Sequence, residues 1–302
     1  MKKISVVIIS KNEEDVIEDC LKSVEWADEI IFVDDSSTDT TAERAKKYTK
    51  QVYVHKSVGY VEPVRNFAIK KATGDLILLL DADERVSDSL AQVIKNIANQ
   101  DECSSAYKLP RKNIIFNKWI QHTGWWPDYN IRLFKKGSVE WSDKIHSVPT
   151  VYGDVAELSS TEENAITHYN YTSVSQFIEK MVRYTSVEAK QYTDRVVTKD
   201  FIAKPASEFI GRFFNSQGYK DGVHGLVLSL LQSVSVLLVL VRVWEKQKFK
   251  PNEDIDVLSV VQTEGKSLRK EIAYWVANEM LKREKGKIKK MRLRISRKRS
   301  RT

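Results

Sequence analysis

Short apolar runs alternate with amphipathic segments through the first hundred positions of the chain. Strands are predicted at the apolar runs 4–10, 29–34, 51–55 and 76–80. Helices are predicted at the amphipathic segments 14–24 and 62–72. Strands that alternate with such helices indicate βαβ units, and right-handed crossovers bring the strand ends to one edge. The expected fold class is α/β, with helices flanking a mostly parallel sheet.

The apolar run Leu76–Leu80 stops at two carboxylates, Asp81 and Asp83. A continuous apolar run predicts a strand buried on both faces, and its carboxyl end is where open α/β sheets bind ligands. Two carboxylates this close repel each other unless a cation lies between them. Oxygen ligands suit Mg²⁺ or Mn²⁺ bridging to a diphosphate. The alternative is a solvated strand-to-helix turn, with Ser87 or Asp88 as the helix cap.

The pattern changes between positions 104 and 167, where short β-like runs alternate with aromatic-rich loops. The aromatic residues of this part include Trp119, Trp125, Trp126, Tyr129 and Trp141. Such side chains suit stacking on sugar rings, and they equally suit a loop-rich core.

The last third of the chain is predicted to be helical. Amphipathic or apolar segments lie at 174–192, 201–215, 225–241 and 255–282. The segment 225–241 carries no charge, and as a helix it spans about 25 Å, short of a hydrocarbon core of about 30 Å. Its polar stripe (Gly225, Ser229, Gln232, Ser233) favours a helix packed on protein or lying in a membrane interface. A single spanning helix and a buried core helix are the alternatives.

Charge changes the picture only at the carboxyl end. The chain has 302 residues and a formal net charge of +8, but residues 282–302 carry twelve Lys or Arg and one Glu, so the remainder is slightly acidic. We therefore expect domain 1–170, a helical membrane-proximal extension 171–281, and a flexible basic tail 282–302. The tail suits an anionic membrane surface, and no nucleic-acid partner is expected because no reading motif accompanies it.

Two cysteines without metal-ligand spacing fit a reducing compartment. The chain contains neither G-x-G-x-x-G after the first strand nor G-x-x-x-x-G-K-[ST], which excludes the two nucleotide-binding classes that cradle phosphate in a Gly-rich loop.

Several motifs in register resemble those of family 2 glycosyltransferases, which have the GT-A fold. They are Ser5–Glu13, Val33–Asp39, Arg65 with Asn66, and Leu80–Glu84. Trp119–Phe134 resembles the branch that contains the bacterial lipopolysaccharide-core β-1,4-glucosyltransferases, and the resemblance continues through Gly218–Gly225 to Glu245. The resemblance implies a metal-dependent inverting enzyme that uses a nucleoside-diphosphate sugar. The expected donor is UDP-linked.

The resemblance also implies roles on the nucleotide side. Asp35 would hydrogen-bond the nucleotide base, and Asp34 would support the loop that carries Asp35. The residues from Ile9 to Asn12 would line the pocket for the base. Arg65 would contact the nucleotide or its phosphates, a role that suits the rigid guanidinium fork.

On the transfer side, Asp83 would ligate Mg²⁺ or Mn²⁺, and Asp81 would lie on the ribose or in the metal shell. The metal neutralises charge on the leaving diphosphate. An inverting transfer also needs a base that accepts the proton of the acceptor hydroxyl, and we assign this role to Asp128. The alternative is that Asp128 is a structural partner of Arg132 four residues on.

The remaining candidates would contact the acceptor or a phosphate: His146, Trp126 and Arg132. Glu13 and Glu84 are secondary candidates. The branch usually has His-Glu where this chain has His146-Ser147, so the missing Glu puts the acceptor or the alignment in doubt at that point.

The leading hypothesis is transfer of a hexose to a hydroxyl of a membrane-associated glycan or glycolipid in cell-envelope polysaccharide synthesis. The enzyme would be cytoplasmic and peripherally attached to the inner face of the plasma membrane. One rival is a polyprenyl-phosphate glycosyltransferase, whose anionic acceptor needs no strong base. Another is a non-catalytic membrane-surface binding protein on the same scaffold.

Overall fold

The computed structural model describes residues 1–57, 62–142, 148–250, 255–284 and 286–301. The chain forms two compact units. The first comprises 1–121 and 125–170, and the second comprises 122–124 and 171–302.

The first unit contains the predicted α/β layers. Its strands are β1 Ile4–Ser10, β2 Glu29–Asp34, β3 Gln51–Val54, β4 Leu76–Asp81, β5 Glu84–Arg85, β6 Ala106–Ile115, β7 Lys118–Trp119, β8 Asp128–Lys135, β9 Val139–Glu140, β10 Thr150–Val151, β11 Val155–Glu157 and β12 Ile166–Tyr171. Its helices are α1 Ile17–Lys22, α2 Thr41–Ala45, α3 Glu62–Ile69 and α4 Asp88–Ala98.

The main sheet has the order β3-β2-β1-β4-β8-β6-β12-β5. Strands β1 to β4 in this order pair in parallel, and β8 joins β4 in antiparallel orientation. From β1 the sheet continues to β2 on one side and to β4 on the other. The strand order therefore reverses between β1 and β4, which is the point at which open α/β sheets bind ligands. The α/β class predicted from the apolar pattern is confirmed.

The core lies on both faces of this sheet. In β4, Leu76, Leu78 and Leu80 pack into one buried cluster, whereas Ile77 and Leu79 pack into the other. All five side chains are at most 1% exposed. The uninterrupted apolar run is therefore explained by burial on both faces, as predicted.

Helix α1 begins at Ile17, three residues later than predicted. The backbone N–H groups of Glu13 and Glu14 donate to Thr41 Oγ1 at 2.8 Å and Asp39 Oδ2 at 3.2 Å. Because these donors are taken by the loop after β2, the two residues anchor that loop instead of opening the helix. At α4 the expected cap is present, since Ser87 accepts a hydrogen bond from the Leu90 N–H at 3.2 Å.

The second unit is helical. Its helices are α5 Val174–Gln191, α6 Asp200–Ile210, α7 Val223–Lys246, α8 Val257–Arg283 and α9 Lys287–Arg301. Helix α9 packs along α8, with Arg297 donating to Asn278 at 3.1 Å. The flexibility expected of residues 282–302 stays a prediction. The sequence of α9 carries nine Lys or Arg.

The polar stripe predicted in α7 lies on its inner side. Ser229 is fully buried and donates to Gly225 O, and Ser233 donates to Pro205 O of α6 at 2.7 Å. Gly225 is required for close approach, because a Cβ there would lie 1.8 Å from Gly218 O. Among the helices that the structure describes, α7 is the one long and apolar enough to cross a membrane.

The short segment 122–124 belongs to the second unit because Asp221 binds it. The Asp221 carboxylate, which is 3% exposed, accepts from His122 N at 2.9 Å and from Thr123 Oγ1 at 3.1 Å. Arg212 adds a hydrogen bond to Thr123 O at 3.0 Å. This contact gives the motif Gly218–Gly225 a structural role.

Candidate active site

The carboxyl ends of three neighbouring strands bring the predicted nucleotide-side residues together. Ser10 of β1 is in register with Asp34 of β2, and Ile9 is in register with Asp81 of β4. The sheet therefore gathers at one edge side chains that are far apart in sequence, as the strand-end argument predicted.

Asp34 and Asp35 are buried, and each is held by uncharged groups or by histidine. Asp34 Oδ2 accepts from the backbone N–H of Ser37 at 3.0 Å, which fixes the loop after β2. Asp35 Oδ2 accepts from Ser57 Oγ at 2.7 Å, and Asp35 Oδ1 lies 3.2 Å from His55 Nδ1. Both carboxylates are thus fixed before any ligand binds.

Asn12 ties the loop after β1 to the same loop after β2. It has a positive φ of 55°, its N–H donates to Ser37 Oγ at 2.9 Å, and its Oδ1 accepts from Thr38 N at 2.8 Å. Asparagine tolerates the left-handed conformation better than most residues, which suits it to this turn.

Asp81 is held by two arginines. Its Oδ2 accepts from Arg132 at 2.5 Å, and its Oδ1 lies 3.9 Å from Arg65, whose guanidinium also lies over the Trp141 ring. Desolvation would raise the pKa of Asp81, but the charges of Arg132 and Arg65 outweigh it and hold that pKa well below its usual range. Asp81 is therefore an ionised carboxylate already matched by protein cations.

Arginines also hold Glu84, which is fully buried. Glu84 Oε1 lies 2.6 Å from Arg132 and 3.4 Å from Arg111. Desolvation lowers the pKa of Arg132, yet the charges of Asp81 and Glu84 raise it above its ordinary value. The two arginines make a continuous charged network with three carboxylates, since Arg111 continues to Asp128.

Asp128 begins β8, where it is in register with Arg111 of β6. Its Oδ2 accepts from Arg111 Nη2 at 2.7 Å and Nε at 2.9 Å, so the alternative pairing with Arg132 is wrong. Asn113 donates to the same oxygen, whereas Asn130 donates to Oδ1 at 3.1 Å. The side chain is 27% exposed, and a carboxylate oxygen with one donor keeps a further lone pair for a hydroxyl.

His168 of β12 connects this network to Asp83. Its Nε2 lies 3.4 Å from Asp83 Oδ2, and its Nδ1 lies 2.7 Å from Asn113 Oδ1. Asn113 is fully buried and contacts Asp128 through its other amide atom. The base candidate and the metal-ligand candidate are thus joined through one asparagine and one histidine.

The donor set at Asp83 and His168 fits a divalent cation. In the described part of the chain there is no group of three or more His, Cys, Asp or Glu that could hold a metal. A carboxylate and an imidazole are acceptable ligands for Mn²⁺, and a hard cation of this kind takes its remaining ligands from phosphate oxygens and water. Because Asp81 already faces two arginines, Asp83 is the better-placed ligand of the pair.

Aromatic side chains lie beside the transfer side. Trp126 packs edge-on against Trp119, with ring centroids 5.2 Å apart, and Lys112 Nζ lies over the Trp119 ring at 4.9 Å. His146 and Ser147 lie outside the described residues, so their candidate roles stay predictions.

Sequence reasoning did not identify three residues of the candidate site: Arg111, Asn113 and His168. Their positions on β-strands were the feature that could have indicated them. Arg111 and Asn113 are polar residues at alternate positions of an otherwise largely buried strand, and His168 ends a β-like run. A polar residue on a buried strand face needs a partner, which is what the site provides.

Comparisons with known proteins identify a family. Residues 5–151 match the family model described as glycosyl transferase family 2. An uncharacterised glycosyltransferase of Rickettsia typhi is 32% identical over 264 residues, covering 81% of this chain and 88% of the relative. The lipopolysaccharide core biosynthesis glycosyltransferase LpsC of Rhizobium meliloti is 22% identical, covering 84% of this chain and 96% of that protein.

Among solved structures, residues 1–349 of TarS from S. aureus superpose with a TM-score of 0.41 at 16% identity, covering 82% of this chain and 92% of that one.

The family match, not the site geometry alone, defines the class of this protein. The chain belongs to glycosyl transferase family 2 and is a glycosyltransferase.

Proposed function

We propose that this protein is a metal-dependent inverting hexosyltransferase that uses a nucleoside-diphosphate sugar, with UDP as the expected nucleotide. The acceptor is a hydroxyl of a membrane-associated glycan or glycolipid of the cell envelope. The observation that carries the proposal is the pairing of Asp83 with His168 on one side of a hydrogen-bonded network and Asp128 on the other.

On the nucleotide side, Asp35 accepts a hydrogen bond from the base, and Asp34 holds the loop that presents it. Ile9 and Asn12 form the wall against which the base packs. Arg65 lies near Asp81 at 3.9 Å and can turn its guanidinium toward a phosphate.

On the transfer side, Asp83 and His168 hold Mg²⁺ or Mn²⁺. When bound, the cation supplies Lewis-acid stabilisation of the diphosphate that leaves. Asp81, fixed by Arg132, supports the ribose side and keeps the arginines in place.

Asp128 accepts the proton of the attacking hydroxyl. Its Oδ2 is held by Arg111 and Asn113, so Oδ1 is the oxygen that faces the acceptor. Fixing one oxygen with two partners orients the other, which is the positioning that general-base catalysis requires. Trp126, which packs edge-on against Trp119, contacts the acceptor glycan.

A polyprenyl-phosphate acceptor is the second candidate because Arg111 lies beside Asp128 and is 18% exposed. A guanidinium at that place could pair with an acceptor phosphate. The relationship to LpsC, which is named for lipopolysaccharide core biosynthesis, favours the hydroxyl of an envelope glycan.

The test of the donor is a thermal-shift screen of UDP-, GDP- and dTDP-hexoses with and without Mn²⁺. Binding of the right donor stabilises the folded protein by mass action. We expect one UDP-hexose to raise Tm only with Mn²⁺, and Asp83→Ala to abolish that rise, whereas the exposed control Asp101→Ala should keep it. An equal rise with EDTA, or none with any donor, would contradict the proposal.

The same proposal includes attachment to the membrane surface through α7. Its outward positions are apolar and between 37% and 74% exposed: Val223, Leu226, Val227, Leu230, Val234 and Val241. Its polar and small residues face inward, where Ser229 and Ser233 make hydrogen bonds. Polar groups inside and apolar groups outside suit an apolar surrounding.

The cations of α9 and of the end of α7 favour an anionic bilayer as the apolar surrounding of α7. Helix α9 carries nine Lys or Arg and no acidic residue, and Arg242 and Lys246 lie in the last turns of α7. Each cation near an anionic leaflet contributes up to about 1 kcal/mol, and salt weakens this attraction. The apolar face adds a contribution that salt does not weaken.

Sedimentation with phosphatidylglycerol vesicles separates the two contributions. Truncation after Leu281 should reduce binding and its salt dependence, and Leu230→Gln with Val234→Gln should release most of the rest. Val54→Gln, at an exposed apolar position of the first unit, is the matched control. Unchanged binding after both changes would contradict the membrane proposal. A shift from dimer to monomer in the Gln variant would instead identify the face as a contact between copies.

A further inference from the structure

We propose that Asn113 is a positioning residue shared by the two halves of the site, orienting Asp128 through its amide nitrogen and His168 through its amide oxygen. The inference rests on the proposed function, because it takes Asp128 as the base and His168 as a ligand of the divalent cation. It adds a residue that touches neither substrate nor metal.

The orientation of the Asn113 amide follows from its partners. Nδ2 lies 3.0 Å from Trp125 O and 3.1 Å from Asp128 Oδ2. A backbone carbonyl and an ionised carboxylate can only accept hydrogen bonds, so the atom between them must be the amide nitrogen. The flip ambiguity that affects many asparagines is therefore resolved by chemistry here.

The oxygen of the same amide then fixes the tautomer of His168. Oδ1 lies 2.7 Å from His168 Nδ1 and 3.2 Å from Asn170 Nδ2. Since the amide oxygen only accepts, Nδ1 of His168 must carry a hydrogen. The neutral ring then has its lone pair on Nε2, the atom that lies 3.4 Å from Asp83 Oδ2.

In that neutral tautomer the Nε2 lone pair faces a carboxylate, an arrangement that a divalent cation bound by both groups would stabilise. A metal-bound histidine commonly donates its other ring nitrogen to a fixed acceptor, which sets the tautomer and strengthens the ligand. Asn113 provides that acceptor. The same side chain thus prepares Nε2 for a cation and Oδ1 of Asp128 for a hydroxyl.

Strand geometry explains why one residue can serve both. Arg111 and Asn113 are two residues apart on β6 and point to the same face, where both reach Asp128. His168 and Asn170 are two residues apart on β12, the neighbour of β6 in the sheet, and both reach Asn113. Because Asn113 is 0% exposed, bulk water is not available to replace its hydrogen bonds.

Asn113→Leu removes the hydrogen bonds to both Asp128 and His168 with little change in side-chain size. The first measurement is Mn²⁺ affinity in the presence of UDP, followed by electron paramagnetic resonance. Loss of an outer-shell partner typically weakens metal binding 10- to 100-fold, and we expect Asn113→Leu to fall in that range. His168→Ala removes the ligand itself and should weaken Mn²⁺ binding at least as much. Turnover of Asn113→Leu at saturating Mn²⁺ should also fall, because Asp128 loses a donor.

Asn130→Ala is the matched control. Asn130 donates to Asp128 but has no contact with His168 among the described hydrogen bonds. This variant should lower turnover and leave Mn²⁺ affinity unchanged. If Asn113→Leu binds Mn²⁺ as tightly as the wild type does, the shared role is wrong.

A measurement on the wild-type chain covers the case in which Asn113→Leu does not fold. Nitrogen NMR of ¹⁵N-histidine protein with Mg²⁺ and UDP, with His168 assigned by His168→Gln, reports the tautomer. We expect a protonated Nδ1 and an unprotonated Nε2, and a protonated Nε2 would overturn the proposal. If wild-type protein binds no Mn²⁺ with UDP, the proposed function itself fails, which is a different result.

Discussion

The carboxylates of the candidate site are held in two different ways. On the nucleotide side, Asp34 and Asp35 accept hydrogen bonds from a backbone N–H and a serine hydroxyl, Ser37 and Ser57. Both serines follow these carboxylates closely in sequence, Ser37 in the loop after β2 and Ser57 in the loop after β3. The nucleotide side is thus a local structure of the first βαβ units, held mostly by uncharged donors.

On the transfer side, Asp81, Glu84 and Asp128 are held by arginines. Arg132 joins Asp81 to Glu84, and Arg111 joins Glu84 to Asp128. The arginines come from β6 and β8, far along the chain from β4. Charge-assisted hydrogen bonds are roughly twice as strong as neutral ones, and breaking one leaves an uncompensated charge. The comparison predicts that transfer-side changes have the larger effects.

The largest effect is expected at Asp128, where Asn keeps the shape and removes the charge that accepts a proton. Loss of a general base typically lowers rate 10²- to 10⁴-fold, and we expect turnover on a hydroxyl acceptor to fall by that order. Donor affinity should change little. Single-turnover kinetics with separate donor titration measure both quantities.

Two results would redirect the assignment of Asp128. If donor affinity falls and turnover of bound donor does not, Asp128 belongs to the donor pocket. If activity on a polyprenyl phosphate is kept while none is found on hydroxyl acceptors, the phosphate acceptor is the right one, because it needs no base.

The next effect is expected at Arg111. Arg111→Leu removes a partner of both Glu84 and Asp128, and Glu84 is fully buried. Loss of a hydrogen bond to a charged group destabilises by about 1.5–3 kcal/mol, which urea unfolding would detect. Turnover should fall as well, since Asp128 loses the guanidinium that orients Oδ2.

Arg111→Lys is the control for charge alone. A lysine keeps the charge but lacks the fork that contacts Asp128 through two nitrogens. We expect it to recover most of the stability and only part of the turnover. Full loss of stability with Lys, or none with Leu, would show that the network contributes less than its geometry implies.

The contrast between the two sides also explains what the sequence could predict. The strand ends at Asp34 and Asp81 are visible as apolar runs that stop at carboxylates, so the sheet edge followed from local pattern. Spacing along one segment offered Arg132 as the alternative partner of Asp128, and that alternative is wrong. The true partner Arg111 faces Asp128 across an antiparallel pair, and cross-strand register is not written in local sequence.

The second unit illustrates a similar limit. The stripe Gly225, Ser229, Gln232 and Ser233 predicted a helix with one distinct face, and that face exists. Which side of the helix is covered depends on α6, which Ser233 contacts through Pro205 O. The run of cations at 287–301 has little intrinsic helical stability, and the local sequence does not indicate that α8 provides the surface on which α9 packs.

The smallest effect is expected on the nucleotide side, at Ser57. Ser57→Ala removes the neutral donor to Asp35 Oδ2, and His55 remains 3.2 Å from Oδ1. A neutral hydrogen bond contributes about 0.5–1.5 kcal/mol net, so UDP affinity should weaken by no more than about tenfold. Turnover at saturating donor should stay near the wild-type value, because no arginine of the transfer side is touched. Calorimetric titration with UDP and Mn²⁺, with Ser57→Thr as the variant that keeps the hydroxyl, measures this directly. If Ser57→Ala lowered turnover as strongly as Arg111→Leu does, the two sides would act as one unit, and the division between neutral and charged partners would not hold.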